Sequence, residues 1–236
     1  MAAPPATLSL VPRVRPGGER GYWSRNARET TDFLADGESL HDRLGLGDVV
    51  GVFWGLPFDR AAARQLLLHD PSPLPTGRVP IYVCAECGDV DCGAVAVRVE
   101  ETDAAYVWSD VTNEVTYYFD SPDERVQFRY EGVGPVAFDK ATYRDVIGGH
   151  LASLPETPRA VSVEADPEAW TLLVSFASGD RRLFRMDVLL DQPALAHLRE
   201  PDAFGAVRVD GRGGVAWPSG VRFSHDALYL RGEPPR

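Results

Sequence analysis

Lysine is almost missing from this chain: Lys140 stands alone among 24 basic side chains, the rest being arginine. That bias carries no mechanism, but the shortage of positive charge does. Against 24 basic residues stand 35 acidic ones, leaving a net charge of -11 and a pI near 4.9. Duplex nucleic acid is therefore disfavoured as a main partner, and so is an anionic membrane surface, because both attract cationic surfaces. No apolar run approaches the roughly 18–20 residues that a spanning helix needs. Cysteine is scarce too. Cys84, Cys87 and Cys92 are the full set, an odd number within nine residues, which argues against a secreted disulfide framework and leaves a local thiol or metal cluster. Also missing are GxSxG, Walker A, HExxH and GxGxxG, which removes the readily recognised serine hydrolases, P-loop NTPases, zincins and dinucleotide enzymes. The opening stretch, MAAPPATLSLVPRVRPGG, has no basic segment ahead of an apolar one, and Pro4, Pro5, Pro12 and Pro16 interrupt any helix. Residues 1–20 accordingly read as the flexible tail of a cytoplasmic protein.

What is present describes a globular chain of 236 residues, 44% hydrophobic and 25% charged, long enough for one large or two modest domains. Charge divides unevenly, with 23 acids and 14 bases in residues 1–150 against 12 and 10 in residues 151–236. The two prolines of LPETP at 154–158 mark a boundary between them. This gives an acidic α+β domain over 21–154 and a smaller α+β domain over 159–236. In the first, a buried strand is predicted over 48–54 and a helix over 59–68. Runs at 79–84, 93–100 and 104–110, rich in valine or aromatics and separated by polar gaps, predict an antiparallel meander. Strands at 114–119 and 126–130 follow, then a helix capped by Asp139 that ends near His150. The second domain is expected to hold strands at 160–164, 171–176, 181–186, 207–210 and 214–217. A hairpin turn is predicted at Ala177-Ser178-Gly179-Asp180, with helical turns at 194–198, 201–204 and 225–230. The expected class is α+β with antiparallel sheets.

Two resemblances accompany this reading. The string WTLLVSFASGDRRLFRMDVLL, followed by PALAHLREPDAFGAVRVDGRGGVAWPSGVRFSHDALY, resembles a small bacterial α+β family of unknown function, through Trp170, Phe176, Gly179, Phe184, Leu190, Phe204, Val209, Trp217, Pro218 and Leu228. The resemblance implies an antitoxin-like or regulatory partner and transfers no catalytic residue. The matching positions are mostly apolar or turn residues, which specify a core and hairpins. IYVCAECGDVDCGAVAVRVE, with GVGPVAFDKATY, is similar to uncharacterised bacterial proteins sometimes labelled oxidoreductase.

Chemistry is concentrated in Cys84-x2-Cys87-x4-Cys92. Soft thiolates two residues apart can share one Zn²⁺, with the third joining from the next strand and a fourth ligand to be found among His69, Asp89, Asp91 or His150. Equally open is a hairpin centred on Gly88, which would set Cys84 directly opposite Cys92 within reach of a disulfide, or would simply leave small free thiols beside a tight turn. Redox or nucleophilic catalysis is disfavoured because Glu86, Asp89 and Asp91 would raise the thiol pKa values. Between Glu86 and Glu124 there are 11 acids and one base, Arg98. Glu100, Glu101, Asp103, Asp110, Glu114, Asp120, Asp123 and Glu124 are the candidate partner-binding residues of an acidic face that would attract a basic protein. Ser224-His225-Asp226 has the residue types of a hydrolase triad but too little sequence separation to converge, so Ser224 and Asp226 read as helix-start residues. The leading expectation is a cytoplasmic, non-enzymatic binding or regulatory protein, antitoxin-like or immunity-like, that docks a basic protein through this face. The alternative is a small thiol- or zinc-dependent oxidoreductase centred on the cysteines.

Overall fold

The proline-rich opening is a strand, not a tail. In the computed structural model, which describes residues 4–20, 23–56, 58–88, 90, 92–115, 126–131 and 134–235, the first element is β1 (Leu8–Arg15). A short hairpin of β2 (Gly18–Arg20) and β3 (Trp23–Arg25) follows, then β4 (Arg28–Ala35). β1 pairs antiparallel with β4 over its whole length, from Leu8 opposite Ala35 to Arg15 opposite Arg28. Pro12 is tolerated because β1 lies at the edge of a sheet ordered β1-β4-β5, where a missing N–H need not cost a ladder bond. β5 (Glu38–Ser39) runs into the one-turn helix α1 (Leu40–Arg43), whose first turn is capped by Ser39. β4 lacks the simple apolar alternation of a half-buried strand, because its buried residues on opposite faces include Thr30 and Asp32 as well as Phe33. Asp32 is 1% exposed, yet its carboxylate accepts from Tyr82 Oη at 2.5 Å, Ser39 Oγ at 2.6 Å and Arg13 Nη1 at 3.1 Å.

The larger sheet of this region follows the meander. Its strands are β6 (Val49–Gly51), β7 (Val79–Cys84), β8 (Ala94–Glu101), β9 (Ala105–Glu114), β10 (Val126–Arg129) and β11 (Val136–Asp139). They are ordered β10-β9-β8-β7-β6, with β11 pairing β9 further along. All pairs are antiparallel. Helix α2 (Phe58–Leu66) fills the link between β6 and β7, and α3 (Lys140–Ser153) follows β11. Asp139 caps α3 by accepting from the Thr142 amide at 2.9 Å, and the helix runs three residues beyond His150. Residues 116–119, where a separate strand was predicted, lie outside the described residues; β9 itself continues to Glu114. Near-unbroken apolar runs explain the buried centre: every residue of Val79–Val83 and of Ala94–Val97 is buried. Aromatic rings knit the layers, with Phe33 edge-on to Trp108 at 5.3 Å and Tyr106 stacked on Tyr143 at 4.2 Å.

By its contacts the chain divides into two units, Met1–Leu154 and Pro155–Arg236. The second contains a three-stranded antiparallel sheet of β12 (Ala160–Asp166), β13 (Thr171–Phe176) and β14 (Arg181–Arg185). Two 3-10 segments, Leu189–Asp191 and Pro193–Arg199, lead to the short helix α4 (Pro201–Gly205). A second small sheet then joins β15 (Arg208–Val209), β16 (Val215–Ala216) and β17 (Arg222–Phe223), and α5 (His225–Arg231) follows. The strand expected over 171–176 is β13, and its inward face is Leu172, Val174 and Phe176. Trp217 donates its indole N–H to the Phe204 carbonyl at 2.9 Å, which satisfies the polar edge of a ring that is otherwise core. Ser224 caps α5 and Asp226 is buried against Thr157, so these two residues are helix-start and packing residues.

Candidate metal centre

Cys84 ends β7, and the register of the β7–β8 pair decides where its neighbours fall. Val83 faces Ala94, and the Cys84 amide donates to the Gly93 carbonyl at 3.1 Å. Cys84 is therefore opposite Gly93, and the expected pairing of Cys84 directly against Cys92 is off by one residue. The three cysteines are free thiols, and their Sγ atoms nonetheless lie within 4.8 Å of one another. A local turn achieves this. The Gly88 amide donates to the Cys84 carbonyl at 2.9 Å, with Gly88 at φ 68°, a conformation that favours glycine. The chain thus doubles back within Ala85-Glu86-Cys87, and Cys87 returns beside Cys84.

Hydrogen bonds within the turn bear on the sulfurs. The backbone amides of Cys87 and Glu86 donate to Cys84 Sγ. Burial of Cys84 works against ionisation, but these amides, with the neighbouring thiols, outweigh it and hold the Cys84 pKa below the ordinary thiol value. Cys92 behaves oppositely: burial, then the proximity of Cys84 and Cys87, pushes it up to about 12. Sequence reasoning placed the whole cluster in an acid-rich setting and missed the amides, which depend on backbone direction.

The turn is braced from outside. Arg28 donates through Nε to the Ala85 carbonyl at 2.5 Å and through Nη2 to the Glu86 carbonyl. The same guanidinium stands 4.5 Å over the Trp54 ring, which stacks on Phe58 at 4.7 Å. Trp54 also packs against Gly88 so closely that a Cβ there would lie 1.9 Å from Cζ2 of the indole. Buried Arg15 donates to Glu86 at 2.6 Å and to both carboxylate oxygens of Asp48, and Asn26 reaches Glu86 at 3.3 Å. The Trp54 and Gly55 amides donate to Asp59 Oδ1 at 2.9 and 2.7 Å, while His150 Nε2 meets Asp59 Oδ2 at 3.1 Å. His150, proposed from sequence as a fourth metal ligand, is thus engaged with Asp59 and packed at a tilt against Phe53, ring centroids 4.2 Å apart. Among the described residues, neither it nor His69 joins the cysteine group. Asp89 and Asp91 lie outside the described residues.

Among the described residues, the carboxylates expected on one acidic face differ in burial and partners. Glu114, expected to greet a partner, is fully buried. It accepts from Arg78 Nη1 at 3.0 Å, Thr76 Oγ1 at 2.9 Å and Thr112 Oγ1 at 3.1 Å. The reason is strand geometry: on β9, Thr112 and Glu114 share the inward face, and Arg78 meets them from the residue before β7. Asp110 is half-buried between Arg78 and Arg129; its own burial is outweighed by these cations, which hold its pKa below the ordinary value. Glu101 binds Lys140 at 2.7 Å and Arg144 at 2.9 Å, with Lys140 foremost in lowering its pKa. Glu100 and Asp103 remain exposed beside the β8–β9 turn. Asp120, Asp123 and Glu124 lie outside the described residues.

Residues 160–234, most of the second unit, match the family described as "Protein of unknown function (DUF2442)". No curated protein and no solved structure matches the chain. Among the described residues no helix is long and apolar enough to cross a membrane.

Proposed function

We propose that this is a zinc-binding protein whose first unit holds one Zn²⁺ on Cys84, Cys87 and Cys92, where the metal closes the β7–β8 connection. The observation that carries the reading is the convergence of three sulfurs within 4.8 Å on a turn whose amides already support thiolate at Cys84. Tetrahedral zinc with Zn–S near 2.3 Å asks for sulfurs about 3.8 Å apart, a separation that side-chain rotation from the present positions can supply. Soft thiolates select zinc over magnesium or calcium. A bound ion also answers the electrostatic problem at Cys92, because coordination removes the proton that burial and two neighbouring thiols otherwise retain. The bracing by Arg28, Arg15 and Trp54 holds the turn in place before metal arrives.

Competitive titration of the reduced full-length protein with a chromogenic zinc chelator tests the proposal. One zinc per chain should bind more tightly than to the chelator, and the Cys84→Ser, Cys87→Ser, Cys92→Ser triple variant should lose it. A wild-type protein that yields all its zinc to a weak chelator, or a triple variant that retains it, overturns the reading. Docking of a basic protein is not what this geometry favours, since Glu101, Asp110 and Glu114 already have internal cationic partners.

A further inference from the structure

The three-sulfur site leaves one tetrahedral position to fill. Among the described residues no further histidine, cysteine or carboxylate falls into the group, and the two cysteines nearest the loop apex, Cys87 and Cys92, are exposed while Cys84 is half-buried. Solvent thus reaches the cluster at Cys87 and Cys92, and Asp89 and Asp91, between them in sequence, lie outside the described residues. We propose that the zinc keeps this fourth position open and that its ligand is an external low-molecular-weight thiol, bound as thiolate. The inference rests on the zinc reading above and adds the class of molecule the site takes.

Two features select that class. A zinc ion with three thiolates is a soft centre, better matched to sulfur than to a carboxylate or an alcohol. Three protein ligands plus one exchangeable position is also the arrangement by which zinc sites admit substrate, whereas closed four-ligand sites serve structure alone. In the exchange a Zn–O bond to water breaks, a Zn–S bond forms, and the thiol proton passes to bulk water; no electron is transferred. The bound thiolate is held at neutral pH at an exposed rim, where it is available as a nucleophile. Trp54, pressed against Gly88 of the same turn, gives the site an intrinsic optical reporter.

The test uses full-length protein loaded with Co²⁺ in place of zinc and freed of excess metal. Wild type should show sulfur-to-cobalt charge transfer. Adding 2-mercaptoethanol should raise that band saturably by about 1.3-fold, four thiolates in place of three, with cobalt still bound after desalting. Ethanol, its oxygen counterpart, should leave the band unchanged, and the Asp89→Asn, Asp91→Asn double variant should respond as wild type does. A band indifferent to thiol, or a double variant whose spectrum differs before thiol is added, overturns the open position, the latter by showing that an aspartate fills it. Absence of any sulfur-to-cobalt band overturns the zinc reading together with it.

Discussion

The first unit buries Arg15, Asp32, Asp59, Arg78 and Glu114, whereas in the second Asp226 is the one buried charge among the described residues. The second unit is held by an apolar cluster, Leu172, Val174, Phe184, Met186, Phe204 and Trp217 among them, whose burial contributes about 1.5–3 kcal/mol per large side chain. The first has a larger apolar cluster and also sets charged side chains inside it. Burying charge is expensive, and replacing such pairs by well-packed apolar residues is often neutral or stabilising. Two of these buried groups lead to the cysteine turn: Arg15 through Glu86, and Asp59 through the backbone of Trp54. Polar burial in the first unit thus braces the cysteine turn, while the second unit shows a core and hairpins of the kind its apolar and turn residues specify.

Breaking one of those buried pairs gives the largest effect. Glu114→Ala leaves Arg78 with half-buried Asp110 alone and takes the acceptor from the Thr76 and Thr112 hydroxyls, and should destabilise the first unit by about 3–5 kcal/mol, read from the denaturant midpoint, with Glu114→Gln less severe. Glu100→Ala and Asp103→Ala, from the same acidic stretch but exposed, should change it by less than about 0.5 kcal/mol. Equal effects from buried and exposed acids would remove the distinction on which the comparison stands. Next comes metal withdrawal. Zinc bound as proposed would add about 3–4 kcal/mol at concentrations of 100–1,000 times Kd. A chelator should therefore lower hydrogen-exchange protection in β7 and β8 while leaving that of β13 unchanged. Gly88→Ala forces a side chain into the left-handed region and into Trp54, and should cost about 2 kcal/mol or more. Its zinc affinity should fall and its Trp fluorescence should change.

A smaller effect than these losses is expected in the second unit. Asp210 is drawn below the ordinary carboxylate value despite partial burial, because the Arg212 and Gly214 amides and Arg222 favour its charge. A depressed carboxylate stabilises fully above the unfolded pKa of about 4, and that stability is lost as pH falls through the lower folded value. Asp210→Asn should therefore cost about 1 kcal/mol at pH 7 and flatten the loss of stability below pH 4. A variant with an unchanged acid limb would show that these contacts do not favour the ionised form.

Much of the fold is legible in local pattern. The apolar runs of β7 and β8, the alternation in β13 and the Asp139 cap need only neighbouring residues, and each is where the pattern puts it. The N-terminal sheet is not, because β4 buries Asp32 and Thr30, whose partners Tyr82 and Gly51 are far away in sequence. Gly51 itself passes so near that a Cβ would sit 1.9 Å from the Thr31 carbonyl oxygen. The site divides the same way. Cysteine spacing exposes the cluster, but its one-residue register offset follows from the irregularity between Pro80 and Tyr82, and its braces, Arg15 and Arg28, arrive from about 60–70 residues upstream. Charge counting along the chain misjudged Glu101, Asp110 and Glu114 for a related reason: sequence shows a carboxylate but not the arginine or lysine that folding brings to it.

What surrounds the proposed metal can be measured directly. Zinc K-edge X-ray absorption on the reduced, zinc-loaded full-length protein should show a shell of three sulfurs at about 2.3 Å in wild type and none in the triple Cys→Ser variant. A shell made only of nitrogen and oxygen, or the same spectrum from both proteins, would contradict the zinc reading.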